Sequence, residues 1–223
     1  MTRGLFVQAM AKFFSGVILL GLLLFLPAGT LHYSAGWLLM LVLFVPMFLA
    51  GIVMMIKSPA LLKSRLNMKE KMGDQVQVVA LSAVMFVLGF VLAGLSFRFD
   101  FLLLPEWVSW AACAAFVLAY LLYAQVLREN AFLSRTIEVQ EGQHVVDTGL
   151  YGIVRHPMYS ATILLFLSMP LILRSLAAFA VFLAYPIIIA KRIRGEEAFL
   201  RENLEGYGAY MQKVRWRLIP FVW

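Results

Sequence analysis

Charge is what this sequence has least of. Only 14% of its 223 residues are Asp, Glu, Lys or Arg, where a soluble domain carries ~25%. Four stretches, 13–31, 36–56, 75–97 and 107–127, contain no carboxylate, His, Lys or Arg. Proton- and ion-coupled carriers place such groups at mid-membrane, so these runs argue against that class. Cysteine is nearly absent too. The single Cys113 excludes an intramolecular disulfide and any cysteine metal cluster. It sits in an apolar run and reads as a packing residue. Repeats, low-complexity segments and linkers are also lacking, which leaves one domain over 1–223.

What is present is apolar. Hydrophobic residues make up 63% of the chain and mean hydropathy is +0.88. Each uncharged run is about as long as the ~20 residues a bilayer crossing needs. The first is longer than the ~7–15-residue apolar core of a secretory signal, so it reads as a retained helix. Two shorter runs follow, 158–173 and 175–190, separated by Arg174. At 1.5 Å per residue each is about 24 Å long. A hairpin is expected, because one continuous helix would leave Arg174 in mid-membrane. The expected fold is all-α: a polytopic membrane helix bundle of four full spans, a C-terminal helical hairpin and a cytoplasmic helix over 191–211. Gly206 and Gly208 are expected to end or bend that helix. On this map 17 of the 19 basic residues fall on one side, all but Arg98 and Arg174. The positive-inside rule then makes both termini cytoplasmic. Segment 57–74, with Lys57, Lys63, Arg65, Lys69 and Lys71, reads as a basic interfacial connection. Recognition of anionic headgroups is the other reading of it.

The polar chemistry collects in two stretches that the hairpin returns to one membrane face. The first is Gly149 to Tyr159, G-L-Y-G-I-V-R-H-P-M-Y. Pro157 fixes its own φ and biases His156 toward extended backbone, and proline is favoured as the first residue of a helix. Arg155 beside a helix N-terminus is a candidate anion cradle; a basic juxtamembrane turn is the plainer reading. The second stretch, R-I-R-G-E-E-A-F-L, spaces Arg192 with Glu196 and Glu197 with Arg201 at i,i+4. On an isolated helix these would be surface ion pairs worth about 0.3–0.5 kcal/mol each.

R-H-P-x-Y at 155–159, preceded by G-L-Y at 149–151 and followed by E-E-x-x-L at 196–200, resembles the isoprenylcysteine carboxyl methyltransferase superfamily. That superfamily includes the phospholipid methyltransferases and bacterial members. The resemblance covers about 128–223; the spans in 1–127 match only in being hydrophobic. It implies S-adenosylmethionine bound at the cytoplasmic interface, beneath a tunnel open to lipid. Its cofactor contacts fall by motif on Gln143, His144, Val145, Val146, Tyr151, His156, Pro157, Met158 and Glu196. Arg155, Tyr159 and Glu197 are added from the residues themselves. The position implicated in a substrate carboxylate falls on Arg192, and His156 or Glu197 is a candidate base for an amine or phenol acceptor. The chain departs from the pattern at Gln143, where some members carry histidine, and at L-E-G-Y over 204–207, a shortened form similar to bacterial members. The expected setting is a bacterial plasma membrane.

The resemblance thus implies methyl transfer to a lipophilic small molecule or lipidated substrate arriving from the bilayer, among membrane lipids, without nucleic acid and without a metal. A sterol-type reductase using a nicotinamide cofactor, and a non-catalytic lipid-binding protein, are the alternatives. Tyr207 and Tyr210 read as packing the tail onto the body rather than touching ligand.

Overall fold

The computed structural model describes residues 3–66, 73–134 and 136–223. Among them the chain is helical and carries no strand. α1 (Arg3–Ala28), α2 (Ser34–Lys57), α4 (Gly73–Phe99) and α5 (Glu106–Glu129) are the four long apolar helices. A short α3 (Pro59–Leu66) follows α2. A 3-10 turn (Gly149–Gly152) precedes α6 (Pro157–Ile172), α7 (Leu176–Phe182), α8 (Ala184–Asn203) and α9 (Tyr207–Lys213). With α7 and α8 taken together as one leg, Leu176–Asn203, five segments are long and apolar enough to cross a membrane. This is an integral, multi-pass membrane protein.

The outer surface fits lipid rather than water. Leu26, Ile56 and Ile187 are 69–74% exposed, which hydrocarbon accepts without cost. The helices meet inside through one core that runs from Leu24 and Leu39 through Phe116 to Phe182 and Ile193. Two glycines set its closeness. A Cβ on Gly94 would lie 2.6 Å from the Leu24 carbonyl oxygen, and one on Gly89 would lie 2.2 Å from the Phe182 ring. Close approach of this kind, to backbone at Gly94 and to a ring at Gly89, is what small residues provide in membrane bundles.

The hairpin forms as expected. Arg174 adopts φ 60° at its turn. Its carbonyl accepts from the Leu104 N–H at 2.7 Å, and its Nε donates to the Leu104 carbonyl at 2.8 Å. Ser175 caps α7 by accepting from the Ala178 N–H at 3.1 Å and meets Ser96 at 2.8 Å. The buried Tyr33 hydroxyl donates to the Leu173 carbonyl at 2.9 Å. These bonds pin the turn to the ends of α4 and α5.

Element ends differ from the sequence expectation in three places. α1 begins near Arg3 rather than at 13, because Lys12 is not a stop: its ammonium donates to the Leu66 carbonyl at the end of α3. The return leg breaks at Leu183, and α8 then continues to Asn203, thirteen residues past 190. The polar helix expected over 191–211 is two helices, since Gly206 turns left-handed at φ 81° and restarts the chain as α9. Lys69 and Lys71 lie outside the described residues.

Candidate active site

α8 carries two stripes that do different things. Tyr185, Ile189, Ile193 and Glu197, four residues apart, are all buried, so the apolar stripe ends in a carboxylate. That carboxylate is a hub. Glu197 Oε1 accepts from Arg155 Nε at 2.7 Å and lies 3.2 Å from His156 Nε2; Oε2 accepts from Arg217 Nε at 2.8 Å. The Glu197 and Arg155 side chains are each 5% exposed. The neighbouring stripe holds Arg192, Glu196 and Leu200. Tyr159 reaches it from α6: its hydroxyl donates to Glu196 Oε2 at 2.5 Å and accepts from Arg192 Nε at 2.9 Å.

The R-H-P turn is clamped on both sides. From the tail, the Trp216 and Arg217 carbonyls accept from the Arg155 and His156 N–H groups at 2.8 and 2.9 Å. Arg155 Nη1 also donates to the Val214 and Arg215 carbonyls, at 2.6 and 2.8 Å. On the other side the 3-10 turn is held by the end of α5. Glu129 Oε2 accepts from the Leu150 N–H at 2.8 Å, and Gln125 steadies Oε1 at 2.7 Å. Gly149, at φ 57°, has the Glu129 carboxylate 2.5 Å from where a Cβ would stand. Only glycine combines that φ with that space.

Between these elements lies a cavity that opens to the surface, about 760 Å³ when the open space at its mouth is included. Its wall includes Gln143, His144, Val145, Val146, Tyr151, Arg155, His156, Met158, Tyr159 and Glu196. The structure therefore brings ten of the residues singled out from sequence to one place. His144 stands edge-on to Phe132, ring centroids 5.2 Å apart. Tyr151, Tyr207 and Tyr210 also face the cavity. Burial, above all, pushes their phenols above the usual range, so they line it as neutral hydroxyls.

Three of the residues do not line it. Glu197 points to Arg155, His156 and Arg217 instead of the cavity, because it occupies the buried stripe of α8. Expected from the sequence to touch the cofactor, it lies outside the cavity wall and stands as counter-charge to Arg155 and Arg217. Pro157 is the first residue of α6 and shapes the turn. Arg192 stands behind Tyr159, where its Nη1 also approaches Gln75 Oε1 at 3.5 Å. Arg155 does line the cavity, but its Nε and Nη1 are committed to Glu197 and two carbonyls. Arg155 thus clamps the tail while it lines the cavity.

Sequence reasoning missed several wall residues. Tyr207 and Tyr210 pack the tail as expected, yet they also face the cavity; the Tyr210 hydroxyl donates to the Tyr151 carbonyl at 2.7 Å. Asn130, Ser134, Thr136 and Glu138 come from the irregular segment after α5. Ser134 Oγ donates to Glu138 Oε1 at 3.0 Å, giving the wall a second carboxylate beside Glu196. Gln75, 2% exposed on the first turns of α4, lies with its Nε2 2.3 Å from a Gly195 Cβ position. Glycine at 195 is what lets that amide rest on the α8 backbone.

The family model for phospholipid methyltransferase matches residues 107–206, which span α5 through α8 and hold R-H-P-x-Y, Glu196 and most of the cavity wall. The superfamily resemblance drawn from R-H-P-x-Y and E-E-x-x-L is borne out by this match. A solved structure of the eukaryotic intramembrane Ras methyltransferase, isoprenylcysteine carboxyl methyltransferase, is similar over 97% of this chain and 86% of its own, at 19% identity and a TM-score of 0.49. Comparison with curated proteins gives no match.

Proposed function

We propose that the chain transfers a methyl group from S-adenosylmethionine to a lipophilic acceptor that reaches the site from the bilayer. The observation that carries this reading is the unbroken contact Glu196–Tyr159–Arg192, which joins the cavity wall to a cation standing just outside it. S-adenosylmethionine, when bound, supplies a methyl group on a sulfonium. The wall suits its chemistry: two carboxylates for its cationic groups, and the aromatic faces of Tyr151, Tyr159 and Tyr207 for adenine and sulfonium. Glu196, held by the Tyr159 hydroxyl, is placed to accept from an ammonium or from ribose hydroxyls.

Methyl transfer needs positioning and exclusion of water more than acid–base work. Residues of 130–134 and 136–146 line the cavity and are available to serve that exclusion. For a carboxylate acceptor no base is required, and Arg192 orients it. For an amine or phenol, His156 takes the proton; its Nε2 faces Glu197, which stabilises the resulting imidazolium. Arg192→Lys keeps the charge and loses the planar two-pronged geometry. With an anionic acceptor, turnover on a total lipid extract with methyl-labelled cofactor should fall by at least about tenfold, or ~1.4 kcal/mol, while cofactor affinity holds. Unaltered turnover would reduce Arg192 to a snorkelling residue. A collapse of cofactor affinity would assign it to the cofactor side. Identification of the labelled product from the same extract names the acceptor.

The reading places both chain ends on the cytoplasmic face of a bacterial plasma membrane and the Arg174 turn outside. Arg174→Cys in a Cys113→Ala background should react with an impermeant thiol reagent on intact cells. Labelling only after permeabilisation would invert the topology.

A further inference from the structure

Resting on the methyltransferase reading, we infer that Gln75 of α4 is a positioning residue for the site, acting through Arg192 and Tyr159 on the Glu196 carboxylate. α4 lies outside the matched segment 107–206. The Gln75 side chain is 2% exposed, and an amide that far from water must have its polar atoms answered by the protein. Both ends of this amide meet α8. Its Oε1 stands 3.5 Å from Arg192 Nη1, and its Nε2 rests against the helix backbone at Gly195, where a Cβ would come within 2.3 Å. Residues three apart share a helix face, so one amide spans Arg192 and Gly195 together. Two residues on, the Gln77 Oε1 accepts from Lys191 Nζ at 3.1 Å on the exposed side of the same two helices.

From Arg192 the contacts continue inward. Arg192 Nε donates to the Tyr159 hydroxyl at 2.9 Å, and that hydroxyl donates to Glu196 Oε2 at 2.5 Å. Glu196 lines the cavity; Gln75 and Arg192 stand behind it. At 3.5 Å the first contact is the pull between a cation and the negative end of an amide dipole, which a low local dielectric preserves. It limits the rotation of a side chain otherwise rich in rotamers. A guanidinium only donates, so the Tyr159 oxygen accepts from Arg192 and its one proton goes to Glu196. Glu196 is thereby held in one orientation before the cofactor arrives, which lowers the cost of binding. The relay requires Arg192 to be held, not to be unoccupied.

The test is a titration of S-adenosylmethionine by calorimetry into the full chain in lipid nanodiscs. Gln75→Met keeps the bulk and removes the dipole. Gly195→Ala displaces the amide with a residue that favours helix more than glycine does. Each should weaken the cofactor roughly three- to tenfold, the scale of one hydrogen bond. Gln77→Met parts the exposed contact between the same two helices and should bind as wild type does. Tyr159→Phe should weaken the cofactor too. The double variant Gln75→Met, Tyr159→Phe should bind no more weakly than Tyr159→Phe alone, because Gln75 acts through that hydroxyl. Wild-type affinity in Gln75→Met or in Gly195→Ala overturns the assignment. Losses that multiply in the double variant also overturn it, by placing Gln75 on another route. A loss in Gln77→Met equal to that in Gln75→Met does the same, by making the contact a brace between α4 and α8. Failure of wild type to bind would instead overturn the methyltransferase reading on which the assignment rests.

Discussion

Glu197→Gln should cost roughly 3–5 kcal/mol of stability, the usual penalty for removing one partner from a buried ion pair and stranding the other. The stranded groups are specific. Arg155 is 6% exposed and would keep the Val214 and Arg215 carbonyls; the one glutamine carbonyl could accept from Arg155 or from Arg217 but would offset neither charge. The loss should appear as a lower melting temperature in detergent and as new proteolytic cutting beyond Val214. The double variant Arg155→Met, Glu197→Gln should recover part of it, because contacting residues do not add and no buried guanidinium is then left unpaired. Melting and digestion patterns equal to wild type would mean that water or a moved side chain replaces the carboxylate, and that the hub is not what holds the tail.

Glu196→Gln, one residue earlier, should leave the fold intact and weaken S-adenosylmethionine by about 1.5–3 kcal/mol. A glutamine carbonyl can still accept from the Tyr159 hydroxyl, so the stripe keeps its packing while the charge is lost. Glu202, exposed near the end of α8, provides the control: Glu202→Gln should bind as wild type does. Equal affinities for the two variants by calorimetry would count against Glu196 as a cofactor contact. The two neighbouring glutamates thus separate cleanly, 197 acting on stability and 196 on ligand.

That separation was not legible in E-E-x-x-L. Both acids look alike in sequence; only the helix phase relative to Tyr185, Ile189 and Ile193 sends one inward. The phase is a long-range fact, since the hub joins residues 42 apart in the chain. The same reason explains Arg155. Its motif neighbours suggest an exposed cation beside a helix start, while the carbonyls that occupy it come from residues 214 and 215. The spans, by contrast, followed from local sequence, because a run without charge has few alternatives in a bilayer. Their ends were less legible, as Lys12 shows: a lysine can sit inside a helix when another helix offers a carbonyl. The cavity segment from Asn130 to Val146 has no period to read. Its members were reached only where a family motif marked them, at Gln143 to Val146, and not at Asn130, Ser134 or Glu138.

The hairpin turn has a consequence for depth. Arg174 and Leu104 share two hydrogen bonds, so α5 and α6 are level at the end away from the cavity. From that level α5 has 24 residues and α6 has 16. At 1.5 Å per residue, α6 stops about 12 Å short of the tip of α5. The interfacial layer of a bilayer is only ~5–8 Å thick on each side, the difference between its full thickness and its hydrocarbon core. On the function proposed above, and with the tip of α5 at the membrane surface, that offset sets His156 at the floor of a well, level with the first methylenes of the acyl chains. A water-soluble ligand descends into that well from above. A molecule held in the leaflet by its own hydrocarbon presents its polar end at the same height without rising at all.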